Sequence, residues 1–390
     1  MHARPAAFCR TSAIGLALAA VLVGSSGWAE VFPPGRTELQ RTVVTPYAFG
    51  GLIQGYGLGS LAEQYAHPTE STSLVWRGEP GQAVVDLRGL GTTVKDIAIH
   101  GKPSREAADG DRAGVGIAIR RLRGTRGVGN GKHTIGPVLI TRCDAAVQVG
   151  DATGDRNCDE SHFTTLHVHH CGVGVRLLNT MALGHTFDYV RAMGVEAIFE
   201  VRAGGNLLAN RVAAMGPMTV LKIDAARRAV GSNNATYWLH HVKFDQKAGP
   251  RGMLVDMKTG AAAKVVSYGG HIAYDGYAAT DARVAIMRSS GELTLRDWYN
   301  LQAGMLEWHA KRGKVCSFRV RDSRLACDPL ELFAVGASTG TAFIEVTGCC
   351  DLSGRPLPDT KEELTGDGKR PRGDAAPGVG EAGGAGPARG

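Results

Sequence analysis

Short segments that alternate apolar and polar residues recur along the middle of the chain, between residues 134 and 223. Four of them share one order: a sulfur-containing residue, a small or turn-forming residue, and then apolar side chains at every second position. The sulfur-containing residues stand 28, 22 and 22 positions apart, at Cys143, Cys171, Met193 and Met215. Alternation with a period of two predicts β-strands, and a recurrence of this length is typical of solenoids. One repeat is too small to bury its own apolar face, so we expect the four anchors to stack inside one shaft.

Similar apolar runs, separated by glycine, continue the pattern on both sides. They predict strands near residues 43–44, 50–59, 73–78, 83–87 and 94–101, and again near 235–245, 265–274, 282–287, 292–298, 305–308, 315–320 and 343–346. Together they predict an all-β fold, a single-stranded right-handed parallel β-helix. The competing interpretation is a β-sandwich or barrel, whose strands would not share a recurring anchor. Segments 102–113 and 120–132 lack the alternation and are predicted to be loops.

The two ends of the chain differ from this pattern. Residues 1–29 combine Arg4 and Arg10 with the apolar run 13–23 and small residues before Glu30, which is typical of a secretory signal peptide. The apolar run is too short to span a membrane comfortably. Residues 351–390 hold 10 Gly and 5 Pro without an aromatic residue, a composition that predicts a disordered tail. The predicted organisation is therefore a signal peptide at 1–29, one β-helix domain at 30–350 and a tail at 351–390.

Charge and predicted export indicate the class of partner. The chain carries 44 Lys and Arg against 37 Asp and Glu, a formal net charge of +7 that becomes +5 without the signal segment. The basic residues are scattered and form no block interleaved with aromatic residues, so we do not expect nucleic-acid binding. A mildly basic surface outside the cell suits an acidic polymer such as a uronic-acid polysaccharide. We expect a secreted, periplasmic or cell-surface protein with no membrane span.

Seven cysteines remain after the signal segment, and an exported protein can oxidise them. Cys316 and Cys327 flank a hairpin-like run and are the pair most expected to form a disulfide. Cys143 and Cys171 are expected to lie one above the other inside the coil, either as a disulfide or as buried thiols. No C-x-x-C motif occurs, so zinc bound through cysteine is not expected.

Several of these segments resemble the pectate-lyase-like, right-handed parallel β-helix superfamily, in its rhamnogalacturonase, epimerase and phage-tailspike branch. Residues 50–59 with 73–76 resemble the opening coil, residues 97–101 the next coil, and residues 147–175 a middle coil. The resemblance covers the region from residue 43 to residue 274 and implies the same fold. It also implies an exported protein that acts on polysaccharides as a lyase, a hydrolase or a depolymerase, although other members have no known activity.

The catalytic motifs of the better-defined members are not reproduced. The polygalacturonase pattern needs Asn-Thr-Asp, an Asp-Asp pair and Gly-His-Gly. Here Met181 follows Asn179-Thr180, Ile272 follows Gly270-His271, and no adjacent Asp-Asp pair occurs. We find no carboxylate set with a base arginine of the pectate-lyase kind. Whether the protein is an enzyme is therefore left open, with polysaccharide lyase and glycoside hydrolase as the two candidate classes.

An outward-facing stripe of polar residues is the candidate site. If the apolar residues of segment 162–169 point inward, His167 and His169 share the outward face, and the next repeat adds Asp188 and Arg191. In this interpretation a His or Arg base removes the proton α to a uronate carboxyl group, and Asp188 or Asp159 orients the base or donates a proton. Residues predicted to bind substrate follow on later repeats: Asn210, Arg211, His240, Lys243 and Asp245. The competing interpretation is a solvated face without catalysis.

No motif requires a cofactor. His167 and His169 are two apart on one predicted strand and could hold a metal, but no third ligand is fixed by spacing, so no metal site is predicted. The acidic loop 151–159 keeps calcium open, although its spacing lacks the EF-hand glycine and glutamate and favours an Asx-rich turn. Hydrolysis would need two carboxylates, for which Asp159, Glu160 and Asp188 are available.

Two functions outside catalysis remain as alternatives. One is a glycan-binding or adhesion module that displays loops such as 102–113, and the other is a structural envelope protein. Tryptophan can serve either a sugar-binding face or the core, because its ring stacks on sugars and also packs well when buried. The tryptophans concerned are Trp76, Trp238, Trp298 and Trp308. The sequence does not set the oligomeric state.

Overall fold

The computed structural model describes residues 20–24, 27–45, 49–58, 71–102, 104, 108–120, 130–151, 157–224, 235–245, 253–258, 263–273, 283–309, 311–336 and 338–366. This part of the chain contains no α-helix and one 3₁₀ turn, Asp109–Asp111. Its contacts divide the chain into two compact units. The first unit comprises residues 1–176 and 181–195, and the second comprises residues 177–180 and 196–390.

The first unit is built from short strands. They are β1 Ala20–Gly24, β2 Gly27–Val31, β3 Gly35–Leu39, β4 Val43–Val44, β5 Phe49–Gln54, β6 Thr72–Trp76, β7 Ala83–Leu87, β8 Leu90–Lys95, β9 Ile97–His100, β10 Val115–Ile119, β11 Asn130–Gly131, β12 Thr134–Ile135, β13 Val138–Thr141, β14 Ala145–Val149, β15 Cys158–Asp159, β16 His162–His169, β17 Val173–Leu177 and β18 His185–Met193.

The strands of the first unit form two sheets that the chain visits in turn. One sheet holds β4, β7, β10, β14 and β17 in this order, and the longer one holds the remaining strands. In both sheets strands pair in parallel, for example β7 with β10, β10 with β14 and β16 with β18, whereas β1 and β2 form an antiparallel hairpin. A chain that returns to the same sheet in parallel after each crossover is a β-helix, and such crossovers are right-handed in nearly all proteins. The predicted right-handed parallel β-helix is therefore confirmed.

Inward-pointing apolar side chains hold neighbouring coils together. Ile53, Val94, Ile135, Phe163 and Phe187 face one another across five adjacent strands, and none of them is exposed to solvent. They are 41, 41, 28 and 24 residues apart in the sequence, because the loops between strands differ in length. The distance between neighbouring coils is constant, at about 4.8 Å, whereas the number of residues per coil varies.

The predicted column of sulfur-containing anchors is correct for two of its members. Cys143 and Cys171 lie on neighbouring coils, and the Cys143 backbone N–H points at the Cys171 sulfur from 3.5 Å. Met193 does not continue this column, because it stands opposite His169 and is only half-buried. The buried residue that follows Cys171 in the column is Val195.

A column of left-handed residues explains the shift. His170 has φ +54° and Gly194, its neighbour on the next coil, has φ +64°. Alignment of the repeats on the sulfur-containing residues Cys171 and Met193 places Gly194 opposite Gly172. Gly194 instead occupies the left-handed turn position that His170 fills on the previous coil, so the true register differs by two residues.

The second unit contains the remaining strands. They are β19 Ala197–Val201, β20 Leu207–Ala209, β21 Val212–Met215, β22 Thr219–Ile223, β23 Thr236–Asp245, β24 Met253–Met257, β25 Ala263–Ala273, β26 Ala285–Met287, β27 Gly291–Tyr299, β28 Leu306–Trp308, β29 Val315–Arg321, β30 Arg324–Leu325, β31 Phe333–Val335, β32 Thr341–Thr347, β33 Cys350–Asp351 and β34 Thr360–Thr365.

The second unit has the same architecture. Its longer sheet runs through β20 and β21, then β23, β25, β27, β29 and β32, all parallel, and its shorter sheet runs through β19, β22, β24, β26, β28 and β31. An interior column of Tyr237, Val265, Leu293, Phe318 and Ile344 is at most 2% exposed. Met215, the last predicted anchor, is half-buried in β21 outside this column.

The chain ends differ from the predicted boundaries. Strand β34 pairs antiparallel with β32, so ordered structure extends past residue 350 to residue 366, and residues 367–390 of the predicted tail lie outside the described residues. Of the predicted signal segment, residues 1–19, 25 and 26 are also outside them. Strands β1 and β2 form a hairpin, and β2 pairs with β5.

The predicted Cys316–Cys327 disulfide is absent, since all seven cysteines of the described residues are free thiols. Cys316 lies on β29 and points into the core, where its sulfur is 3.1 Å from the carbonyl oxygen of Ser289. Cys327 instead follows β30 and is partly exposed. The intervening run is therefore no hairpin, because β29 pairs with neighbouring coils and not with the segment that follows it. Cys143 and Cys171 are buried thiols, one of the two alternatives that the sequence left open.

Candidate functional site

A histidine and an aspartate meet on the outward face of the first unit. The alignment of Phe163 with Phe187 inside the coil places His162 and Asp188 outside it, on β16 and β18. The Nε2 atom of His162 lies 2.8 Å from an Asp188 carboxylate oxygen, and each side chain is slightly less than half exposed. His162 was not among the predicted site residues. The signal that could have found it is the Phe163–Phe187 alignment, which fixes the register of the two strands.

The predicted pair His167 and Arg191 is adjacent on the same face. They are direct partners across β16 and β18, and the His167 ring packs edge-on against Tyr189 with centroids 5.9 Å apart. Burial lowers the pKa of His167, and the nearby Arg191 charge lowers it further. The imidazole is consequently neutral at pH 7, the form in which a histidine can accept a proton.

His169, the fourth predicted catalytic residue, lies on the same strand but is only 3% exposed. Burial lowers its pKa to about 4, and the charges of His167, Arg191 and His170 act in the same direction. A polymer at the surface cannot reach a side chain so fully covered. The structure therefore brings Asp188, His167 and Arg191 to one accessible face and leaves His169 beneath it.

The predicted substrate-binding residues lie on the longer sheet of the second unit. Asn210 and Arg211 join β20 to β21, where register places them beside His240 and His241 of β23. His240 and Lys243 point outward from β23. Asp245 ends that strand, opposite Met215 and Ala273. The same sheet also carries Tyr268 and Tyr299, which the sequence analysis did not single out.

Two triplets of side chains repeat on this face, each spread over three successive coils. In the first triplet, the His240 ring packs edge-on against Tyr268 at 6.1 Å, and the Arg296 guanidinium lies 5.5 Å from the centre of the Tyr268 ring.

The second triplet repeats this order one coil further along. The His271 ring packs against Tyr299 at 5.9 Å, and the Arg324 guanidinium lies 5.8 Å from the centre of the Tyr299 ring. Attraction between a guanidinium and a ring face contributes about 0.5–1 kcal/mol at exposed sites. The two contacts therefore fix the rings while leaving them accessible.

Trp238 extends the row to a third coil. It is 38% exposed, compared with 40% for Tyr268 and 43% for Tyr299. The other three tryptophans singled out in the sequence, Trp76, Trp298 and Trp308, are buried in the core. Of these four, Trp238 alone can meet a ligand at the surface.

The arginines of this face differ in their partners. Arg296 forms an ion pair with Asp322 at 2.9 Å, and Arg321 forms one with Glu345 at 3.1 Å. Arg324 has no ion-pair partner among the residues that the structure describes. The charges of Arg296 and Arg321 are thus paired with carboxylates, whereas Arg324 has no such carboxylate among the described residues.

No residues within the described ranges form a metal centre, since no three or more His, Cys, Asp and Glu side chains cluster there. The acidic loop considered for calcium has its residues 152–156 outside the described part of the chain. Asp159 accepts a hydrogen bond from the Leu183 backbone N–H at 3.3 Å, and burial raises its pKa. Within the described residues, no helix has the length and hydrophobicity needed to cross a membrane.

Comparison with known proteins gives a distant structural likeness. No family model matches the chain, and no curated protein matches it. Among solved structures, it is similar to the catalytic domain of a GH87 α-1,3-glucanase in complex with tetrasaccharides, with 10% identity and a TM-score of 0.47. The match covers 84% of this chain and 62% of that one, so the chain spans less than two thirds of that domain. The strand pairings of the chain itself define the β-helix.

Proposed function

We propose that the protein binds an extended acidic polysaccharide along the outward face of the longer sheet in the second unit. The observation that supports this proposal is the row of exposed aromatic rings, Trp238, Tyr268 and Tyr299, on three successive coils. Aromatic rings offer apolar faces against which the C–H faces of sugar rings pack. A row that crosses successive coils suits a linear polymer better than a compact ligand.

The charges of this face support an acidic ligand. Lys243, Arg296 and Arg324 lie beside the aromatic row. Ion pairs between exposed side chains contribute only about 0–1 kcal/mol, so a ligand carboxylate can compete with Asp322 for Arg296. The formal net charge of +7 attracts polyanions at long range.

Calorimetric titration with a soluble uronic-acid polymer tests the proposal. We expect Trp238→Ala, Tyr268→Ala and Tyr299→Ala each to weaken binding about tenfold, because each removes one stacking surface. Tyr56→Ala is the matched control, since Tyr56 is 58% exposed but lies in the first unit. If the wild type binds the polymer and all three variants bind it equally tightly, this face is not the binding surface.

Cleavage of the polymer is a second candidate, supported by the contact between His162 and Asp188 in the first unit. In a lyase reaction, a base takes the proton α to the uronate carboxyl group, and the electron pair of the broken C–H bond forms the new C=C bond. The glycosidic C–O bond then breaks, and its oxygen takes up a proton. His162, held by Asp188, is the candidate base, and Arg191 is the candidate partner of the uronate carboxylate.

Absorbance of the unsaturated product separates cleavage from binding alone. A lyase should generate this signal with the wild type, and His162→Ala and Arg191→Ala should each abolish it. The absence of signal with a polymer that does bind would indicate a non-catalytic glycan-binding module, the alternative class. Retention without turnover also fits an exported protein at the cell surface, which the signal segment predicts.

A further inference from the structure

A cleft opens on the outward face of the second unit, where the longer sheet reaches its last strands. Strands β29 and β32 pair in parallel there, and β34 pairs antiparallel with β32. The cleft has a volume of about 320 Å³, at the lower end of the range of about 300–1,000 Å³ that small-molecule sites occupy. It therefore has room for one compact ligand.

An exposed aromatic ring lines this cleft. Phe343 of β32 is 46% exposed, whereas its neighbours in the strand, Ala342 and Ile344, point inward and are at most 2% exposed. The register partner of Phe343 on the preceding coil is Ser317, which also lines the cleft. The ring thus stands beside a small hydroxyl side chain and offers an apolar surface to a ligand.

The charged side chains that line the cleft balance one another. They are two cations, Arg319 and Lys361, and two carboxylates, Glu345 and Glu362. The Glu345 carboxylate lies 3.7 Å from Arg319 and 4.0 Å from Lys361. Arg321, which does not line the cleft, reaches the same carboxylate at 3.1 Å. The lining consequently offers many hydrogen-bonding groups but no excess of positive charge.

The carboxylates around these residues disfavour an anionic ligand. Glu292 holds Arg319 from the preceding coil at 3.1 Å, so this guanidinium is paired with a carboxylate on each side. Glu363 is the register partner of Phe343 on β34 and places an exposed carboxylate beside the ring. An uncharged ligand meets neither a free cation nor a repelling carboxylate.

We propose that this cleft is a second carbohydrate site and that it binds one neutral sugar. The C–H face of the sugar ring packs on Phe343, and its hydroxyl groups donate to Glu345 and accept from Arg319. Hydrogen bonds to charged groups are stronger than those between neutral groups, and the ion pairs fix the orientation of both side chains. The inference goes beyond the proposed function, because it concerns other strands of the sheet and a ligand without a carboxylate.

Saturation-transfer NMR with matched monosaccharides tests the proposal. The probes are the methyl glycosides of glucose and galactose, each compared with its uronic acid and its amino sugar. We expect at least one of the two neutral glycosides to bind, with a dissociation constant on the order of 1 mM. Its uronic acid should bind about tenfold more weakly, because the added carboxylate meets Glu345 and Glu362 without a free cation.

Variants of the cleft locate the binding. Phe343→Ala should weaken binding of the neutral glycoside about tenfold, whereas Phe343→Trp, which keeps an aromatic face, should retain it. Val315→Ala is the matched control, since Val315 is also an exposed apolar residue of β29 but does not line the cleft. Thermal unfolding of each variant checks that the fold is retained.

Glu345→Gln tests the role of charge. It keeps the size of the side chain but removes the carboxylate that pairs with Arg319 and Arg321. We expect this variant to bind the uronic acid about tenfold more tightly than the wild type does.

The outcomes separate this inference from the proposed function. The inference is overturned if neither neutral glycoside binds, or if Phe343→Ala binds as tightly as the wild type. It is also overturned if the uronic acid or the amino sugar binds the wild type more tightly than the neutral glycoside. None of these results bears on the acidic polymer, whose binding is measured through Trp238, Tyr268 and Tyr299.

Discussion

Phe163 and Phe187 stack face to face on neighbouring coils of the first unit, with ring centroids 4.4 Å apart and ring planes inclined by 10°. Both rings are fully buried. Because coils of a solenoid are held mainly by contacts with their neighbours, this contact joins two coils and sets the register that brings His162 beside Asp188.

Removing one of these rings should therefore affect both stability and the site. We expect Phe187→Ala to lower the free energy of unfolding by about 3–5 kcal/mol, because it leaves a cavity in a packed core. Phe187→Leu should cost about 1.5 kcal/mol or less. Urea denaturation measures both values. Phe343→Ala is the control, since Phe343 is 46% exposed and its loss should change the free energy by no more than about 0.5 kcal/mol.

Substitution of Gly194 tests whether this residue stands beside His170 in the column of left-handed residues. Its φ is +64°, and a Cβ added there would lie 2.6 Å from the His170 Nδ1 atom. We expect Gly194→Ala to lower the free energy of unfolding by about 1–2 kcal/mol from the backbone alone, with the contact adding to it. In the double variant with His170→Ala, the contact contribution should disappear. Gly110→Ala, whose added Cβ meets no atom within 4 Å, should be nearly neutral. A Gly194→Ala variant as stable as the wild type would contradict the observed register.

Buried histidines should make the fold sensitive to acid. Burial lowers the pKa of His100, His133 and His185 to about 4 each, from an unfolded value of 6.5. Between these two values the unfolded chain binds more protons than the folded one, so stability should fall as pH decreases from 6.5 to 4. His185→Asn should reduce this slope by about one proton, because it removes a group that is protonated in the unfolded chain and neutral in the folded one. Urea denaturation at a series of pH values gives both slopes, and identical slopes in the wild type and His185→Asn would contradict the burial of His185.

The fold class follows from the sequence because alternation and recurrence are properties of every coil. The alternation correctly predicts that Leu166 and Val168 lie in the core, but it also predicts an outward His169, which is only 3% exposed. The register between coils could not be read in the same way. It depends on left-handed residues such as Arg142 and His170, and nothing in an arginine or a histidine marks that conformation.

The candidate site was predictable only in part for the same reason. The outward positions of His240 and Lys243 were predictable, because a polar residue in an alternating strand is visible in the sequence. The triplets were not found, because Tyr268 and Arg296 meet His240 only through a register spanning three coils. The ion pair that distinguishes Arg296 from Arg324 likewise joins residues 26 positions apart.

A structure of the protein bound to an acidic oligosaccharide is the most direct test of binding to the outward face of the second unit. We predict sugar rings packed against Trp238, Tyr268 and Tyr299, with a carboxylate of the ligand in contact with Arg324. A ligand bound elsewhere, with these three aromatic side chains uncovered, would contradict the account.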